Sequence, residues 1–249
     1  MVVGIFGSSG YLGKQSALLC ESLSLDYVCL ERNVDEHERE SLQKITVIID
    51  CGFPREYYKR GIAASYLIEI NRRKHFFESL GPKYIYVGTF TGILTKSTHY
   101  SLLKQKAEEI FETFGATILR VGLVASADRP GGRYLELKEI LEKLPVSLVP
   151  AENWFPVVIT DLDDFIYHLT KLLSLHNDKV GVPINVLPLC KLILERTPEK
   201  VQLKIPSIVC QLFSWTVRWL PLKKLEGIKA IAVPVSFSTE SILRIRDGD

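Results

Sequence analysis

The stretch HYSLLKQKAEE, residues 99–109, sets a tyrosine and a lysine four positions apart, Tyr100 and Lys104. On a helix, positions i and i+4 share a face, so the lysine ammonium can lie close to the phenol. A phenol ionises near pH ~10, and a fixed cation beside it favours the phenolate, moving the group toward the range where it gives or takes a proton. Spacing alone does not select this pair. Ten tyrosines give three such spacings, the others being Tyr134 with Lys138 and Tyr167 with Lys171. Only Tyr100 follows an apolar run that ends in a hydroxyl cluster, YIYVGTFTG, where Thr89 can hold a reacting oxygen by hydrogen bond.

A second stretch with chemical content is GSSGYLG, which carries Gly7, Ser8, Ser9, Gly10, Tyr11, Leu12 and Gly13 between the apolar run VVGIF and the helical pattern KQSALLCESL. A strand, a glycine turn and a helix in that order let the backbone approach a pyrophosphate, while amides at the helix start supply donors and partial positive charge. The spacing is G-x-x-G-x-x-G, not the commoner G-x-G-x-x-G of dinucleotide sites, and a glycine turn that binds nothing is the plain alternative. In the next apolar run, YVCLERN, Glu31 stands 18 residues past Gly13. A carboxylate there accepts adenosine ribose hydroxyls and favours NAD, whereas Arg32 beside it can pair with a 2′-phosphate or stack on adenine, which keeps NADP open. For both residues the alternative is a solvated loop charge.

These residues need a scaffold, and the first 125 residues alternate short apolar runs with helical patterns, which predicts an α/β, Rossmann-like, doubly wound parallel sheet. Strands are expected at 2–6, 27–30, 46–50, 83–87 and 117–124, and helices near 11–23, 55–80 and 98–114. Each strand run is continuous, as expected where helices cover both faces. After the loop ADRPGGR the pattern becomes less regular. The expected division is a dinucleotide-binding domain over 1–126 and a small C-terminal substrate lobe over 127–249, interleaved with the last strands.

With 31 basic and 29 acidic residues, a net charge of +2 and 47% apolar residues, the chain is a folded globular protein without the one-sided basic excess of a nucleic-acid binder. Cys20, Cys29, Cys51, Cys190 and Cys210 are odd in number and set in apolar runs, which predicts buried free thiols in a reducing, cytoplasmic setting. The sequence preceding VVGIF lacks a signal-peptide pattern, and the mature chain is expected to begin there. The run at 205–222 reads as an amphipathic helix, interrupted by Gln211 and Arg218, and not as a transmembrane span. Its apolar face is expected to meet the domain or a twin subunit in a homodimer, with a membrane surface as the alternative. His37, His75, His168 and His176 have no metal-ligand spacing, and no metal site is expected; His99, beside Tyr100, reads as a solvent-facing histidine at a helix start, with contact to the site as the alternative. The cluster NRRKHF reads as a solvated helix face. Arg129 and Arg133 are candidates to clamp a substrate diphosphate, against a solvated loop. In VVITDLDDF, Thr160 or Asp161 is the expected N-cap of a helix.

Together, GIFGSSGYLG, YVCLERN, IIDCGFP, YIYVGT, YSLLKQKAEE, ILRVGLV and VVITDLDDF resemble, in order, the short-chain dehydrogenase/reductase superfamily, in particular its extended branch of nucleotide-sugar epimerases, dehydratases and ketoreductases. The resemblance covers residues 2–170. It implies that Tyr100 is the acid/base, that Lys104 orients the nicotinamide ribose and tunes Tyr100, and that Thr89 positions the substrate oxygen. It further implies that Cys51, Gly52 and Phe53 line the cofactor, that Val121, Gly122 and Leu123 flank the nicotinamide, and that Asn71 matches a helix asparagine. The sequence departs from the family in the short stretch between Glu31 and Thr46, in Thr89 for the usual serine, and in a trimmed substrate lobe. The expected activity is NAD(P)-dependent oxidation–reduction or epimerisation of a nucleotide-activated sugar. A reductase of non-sugar ketones or aldehydes, and a dinucleotide-binding sensor or assembly protein, are the alternatives.

Overall fold

In the computed structural model the residues described are 1–31, 42–54, 56, 60–90, 99–126, 128–143, 145–150, 156–174, 185–188 and 199–206. Arg32, Cys190, Cys210, His37, His176 and residues 207–222 lie outside them. The first half builds strands β1 (Val2–Phe6), β2 (Asp26–Leu30), β3 (Ile45–Asp50), β4 (Lys83–Thr89) and β5 (Thr117–Val121) with helices α1 (Tyr11–Ser22), α2 (Arg60–Glu78) and α3 (His99–Thr113). The five strands form one parallel sheet in the order β2-β1-β3-β4-β5. This is the α/β Rossmann-like sheet expected from the sequence.

The continuous apolar runs are explained by two cores, one on each face. Successive side chains of a strand point to opposite faces. Val3, Ile5, Val47, Ile49, Ile85, Val87, Leu119 and Val121 accordingly fill one core. Phe6, Ile45, Ile48, Tyr84 and Tyr86 fill the other, against Tyr66, Ile70 and Phe77 of α2 and Leu103, Ala107 and Phe111 of α3. The second face is rich in rings: Tyr86 and Tyr84 stack on Phe111 at centroid distances of 4.4 and 5.0 Å.

The second half contributes β6 (Leu123–Ala125), α4 (Gly132–Lys143), β7 (Ser147–Pro150), β8 (Pro156–Asp161), α5 (Leu162–Ser174), β9 (Asn185–Pro188) and β10 (Gln202–Ile205). β6, β8 and β9 form a three-stranded sheet, and β7 pairs with β10. Helix α5 returns to the first sheet, where Leu162, Phe165, Leu169, Leu172 and Leu173 complete the core beside Leu19 and Cys20 of α1. Among the described residues no helix is long and apolar enough to cross a membrane.

Several expectations are corrected. The run 117–124 is two strands, because the chain changes partner at Gly122, which packs on the Val158 carbonyl of β8 where a Cβ has no room. Ile205 ends a strand and does not open a helix. β2 is not covered on both faces; it lies at the sheet edge, and Val28 and Cys29 are exposed. Cys20 is buried as expected. Asp161, not Thr160, caps α5, its Oδ1 accepting from Asp163 N at 2.8 Å, while Thr160 Oγ1 accepts from Gly122 N at 2.8 Å.

The basic cluster on α2 is not one solvated face. Arg72 and His75 are exposed, but Arg73 is buried against the ring of Phe6 and pairs with the fully buried Asp50 at the end of β3. Asp50 Oδ2 accepts from Arg73 Nη1 at 3.0 Å and from Tyr84 OH at 2.7 Å, and its Oδ1 accepts from Gly52 N at 2.8 Å. Removing one partner of a buried pair leaves an uncompensated charge. Arg73→Met is therefore expected to lower unfolding free energy by about 3–5 kcal/mol in urea denaturation. Adding Asp50→Asn to that variant should recover a large part of the loss, since no lone carboxylate then remains. A single variant as stable as the parent would show that the pair does not hold the fold.

Candidate active site

The glycine turn and the end of β3 meet at the carboxyl edge of the sheet. Gly7 adopts φ +71°, and a side chain there would strike the backbone of Cys51 and Gly52 at 2.9 Å. Gly10 N donates to the Gly7 carbonyl at 2.9 Å, closing the turn. Gly13 lies on that same carbonyl and on Ser8, so only a residue without Cβ lets α1 start over the turn. Gly10 is the N-cap of α1 and no side chain caps the helix. Its first amides are thus left to an anion, an arrangement that fits a dinucleotide pyrophosphate.

Tyr11 departs from a simple role in that cradle. Its ring packs on Gly131 and Gly132, and its hydroxyl donates to the Arg129 carbonyl at 2.5 Å. The turn is thereby tied to the loop before α4. Leu12 joins the core around α1. Glu31 follows β2 directly and is exposed, where its carboxylate can meet a ligand from solvent. Val121 is buried, and Gly122 and Leu123 carry the chain from one sheet to the next.

Helix α3 presents Tyr100, Lys104 and Glu108 on one face, at i, i+4 and i+8, against β4. Thr89, the last residue of β4, is hydrogen-bonded to the Tyr100 phenol. Its backbone N donates to Glu108 Oε1 at 3.0 Å, while Glu108 Oε2 accepts from Arg120 Nε at 2.8 Å. The Glu108 carboxylate fills the space where Gly88 lacks a Cβ. Glu108 therefore fixes the strand end that carries Thr89. It was legible as the next member of the Tyr100–Lys104 helical face, but its partners on β4 and β5 were not.

Lys104 is buried. Its Nζ donates to Tyr86 OH and to the Val87 carbonyl, both at 3.2 Å, and sits 4.6 Å from the centroid of the Phe53 ring. Phe53 in turn meets Tyr100 edge-on at 5.1 Å and Tyr66 at 5.3 Å. Burial lowers the lysine from its ordinary 10.5 to about 8, against the opposing pull of Glu108, Asp50 and Cys51. The Tyr100 phenol is raised by burial, a shift that the Thr89 hydrogen bond and Arg133 oppose. The expected lowering of the phenol by its neighbouring cation is thus not what dominates: desolvation does. Burial also pushes the Cys51 thiol up to about 12, so it stands in the turn after β3 as a protonated thiol 3.9 Å from Ser16 Oγ.

The other tyrosine–lysine pairs do different things. Tyr134 is buried in a small core with Ala125 and Ile159, and Lys171 lies over the exposed Tyr167 ring at 4.3 Å. Asn71 faces outward from α2, its side chain bonded to the Leu67 carbonyl, away from the site. Arg129 pairs with Asp163 and Arg133 with Glu136, so each guanidinium is held by its own carboxylate. Among the described residues no three His, Cys, Asp or Glu side chains group as metal ligands.

No protein-family model matches the sequence, and no curated protein matches it. Solved structures do. Similar folds include a nucleoside-diphosphate-sugar epimerase from Staphylococcus aureus (TM-score 0.66, 11% identity, 100% of this chain and 96% of that one). They also include a dTDP-4-dehydrorhamnose reductase from Clostridium acetobutylicum (0.63, 12%, 82% and 84%). A third is the UDP-glucuronic acid 4-epimerase from Bacillus cereus, solved with UDP-glucuronic acid and NAD (0.58, 14%, 84% and 87%). The chain therefore has the fold of the extended short-chain dehydrogenase/reductase enzymes, the class that its motifs resemble.

The lowered lysine has a thermodynamic consequence. Between about pH 8 and the lysine's ordinary 10.5 the unfolded chain holds a proton that the folded chain has released, so stability from this group rises with pH across that interval. Urea denaturation from pH 7.5 to 9.5 should show the wild type gaining stability relative to Lys104→Met. Parallel curves for the two proteins would mean that Lys104 titrates as it does in water.

Proposed function

We propose that this protein is an NAD(P)-dependent oxidoreductase or epimerase of a nucleotide-activated sugar, with Tyr100 as the acid/base. The observation that supports this most directly is the Thr89–Tyr100 hydrogen bond at the end of β4, with buried Lys104 one helical turn along and the uncapped start of α1 at the same edge of the sheet. The bound dinucleotide would supply the hydride donor and acceptor. Gly7, Gly10 and Gly13 shape the pyrophosphate cradle, Cys51, Gly52 and Phe53 line the cofactor's side, and Val121–Leu123 flank the nicotinamide. Glu31 takes the adenosine ribose, which favours NAD.

The chain's own residues then handle the proton. Thr89 and Tyr100 hold the substrate oxygen between two hydroxyls. Because burial keeps Tyr100 as a phenol at neutral pH, it is set to donate to a carbonyl oxygen as the adjacent carbon is reduced. The reverse reaction returns the proton to the same oxygen atom of Tyr100. Support for the substrate class comes from the neighbours, among them an epimerase solved with its nucleotide sugar and NAD.

Tyr100→Phe is expected to keep cofactor affinity within a few-fold while turnover on a panel of nucleotide sugars drops by about two to four orders of magnitude. Unchanged turnover would remove Tyr100 from the reaction. Glu31→Ala should weaken NAD binding more than NADP binding in calorimetric titrations, and the opposite order would reverse the cofactor assignment. Cofactor binding without turnover on any sugar nucleotide, ketone or aldehyde would favour a sensor over an enzyme.

A further inference from the structure

We propose that Tyr86 and Tyr66 are positioning residues for Lys104, forming a one-way hydrogen-bond chain that fixes its Nζ and leaves one ammonium hydrogen for a ligand. Counting hydrogens sets the direction of the chain. Tyr66 OH donates its single hydrogen to the Gly52 carbonyl at 3.0 Å. At the 3.3 Å contact between the two hydroxyls, Tyr66 must therefore accept and Tyr86 donate. With its hydrogen used, Tyr86 OH can only accept from Lys104 Nζ, at 3.2 Å. The Val87 carbonyl takes a second lysine hydrogen at 3.2 Å. An ammonium has three, so one remains.

The chain ends on a backbone carbonyl, which cannot pass a proton onward. It is therefore a brace and not a proton wire. It also spans three elements, since Tyr66 belongs to α2, Tyr86 to β4 and Lys104 to α3, and it terminates in the turn that the Asp50 carboxylate holds through Gly52 N. The rings add to the brace: Nζ lies 4.6 Å from the Phe53 centroid and 4.9 Å from that of Tyr86. The charged or titratable groups facing Lys104 are Glu108 on its own helix, Asp50 and Cys51 at the end of β3, Tyr86 on β4 and Tyr66 on α2.

The inference rests on the proposed cofactor role of Lys104, and two readouts separate its failure from failure of that role. In the ligand-free protein, titration of the Lys104 side chain is followed by NMR in wild type, Tyr86→Phe and Tyr66→Phe. Losing the Tyr86 hydroxyl removes an acceptor from the charged form, so the midpoint is expected to move below its starting value of about 8, with a smaller shift in the same direction for Tyr66→Phe. Midpoints that stay put in both variants overturn the brace, whatever the cofactor does. If Tyr86→Phe does not fold, Tyr66→Phe decides alone.

The second readout is NADH affinity by fluorescence between pH 6.5 and 9.5. Wild-type affinity should fall as Lys104 loses its proton. Tyr86→Phe should bind about tenfold more weakly at pH 7.5, with its pH dependence displaced to lower pH. Wild-type affinity and pH dependence in Tyr86→Phe, accompanied only by a lower unfolding midpoint, would overturn the brace and leave a purely structural tyrosine. A wild-type protein that binds no NADH would refute the cofactor reading, with the NMR titration still deciding the brace.

Discussion

A single buried carboxylate organises the site edge of this molecule. Asp50 is fully enclosed, and a charge in that position is tolerated only when hydrogen bonds and an opposite charge replace the water it has lost. Its partners come from three places: the guanidinium of Arg73 on α2, the phenol of Tyr84 on β4 and the amide of Gly52 in the turn after β3. Because each bond is directional, the carboxylate sets a helix, a strand and a turn in register with one another. Apolar contacts between the same elements would hold them together but would fix their relative positions less closely.

From that turn the constraint passes outward. The backbone of Cys51 and Gly52 lies where a side chain on Gly7 would be, so the glycine turn can seat itself only against a turn already in place. The Gly52 carbonyl receives Tyr66, and Phe53 meets both Tyr100 and the Lys104 ammonium. On the far side Glu108 anchors the Thr89 amide and binds Arg120 on β5. Two buried acids, Asp50 at the end of β3 and Glu108 on α3, thus support the elements that carry the hydroxyls and the amine of the proposed chemistry. Desolvation is the common electrostatic theme: it raises Tyr100, lowers Lys104 and keeps Cys51 protonated.

The division of the sheet into an aliphatic and an aromatic face has a chemical counterpart. The face built from Val3, Ile5, Ile49, Ile85 and Leu119 packs α1 and α5, with Tyr11 of the glycine turn and the Cys51 thiol at its rim. The other face packs α2 and α3 with Phe6, Phe77, Phe111 and the tyrosines 66, 84 and 86. Tyrosine rings can fill a core while their hydroxyls pair with a buried carboxylate or ammonium. That dual character lets one side of the sheet serve both as hydrophobic core and as the support for Lys104.

The sequence alone determined the parallel sheet, the glycine turn after its first strand, the shared helical face of Tyr100 and Lys104, and the place of Thr89 at a strand end. Those features depend on local periodicity and on residue types within a few positions of each other, which a linear reading captures. Only the tertiary structure decided that Arg73, one basic residue among several, turns inward, because its partner Asp50 lies 23 residues away on another element. It alone decided that Tyr86 and Tyr66 meet over Lys104, that the run 117–124 divides between two sheets at Gly122, and that β2 stands at an edge with Cys29 exposed. Burial, and the pairing that makes buried charge tolerable, arise from contacts between distant segments, and no spacing along the chain encodes which segments those will be.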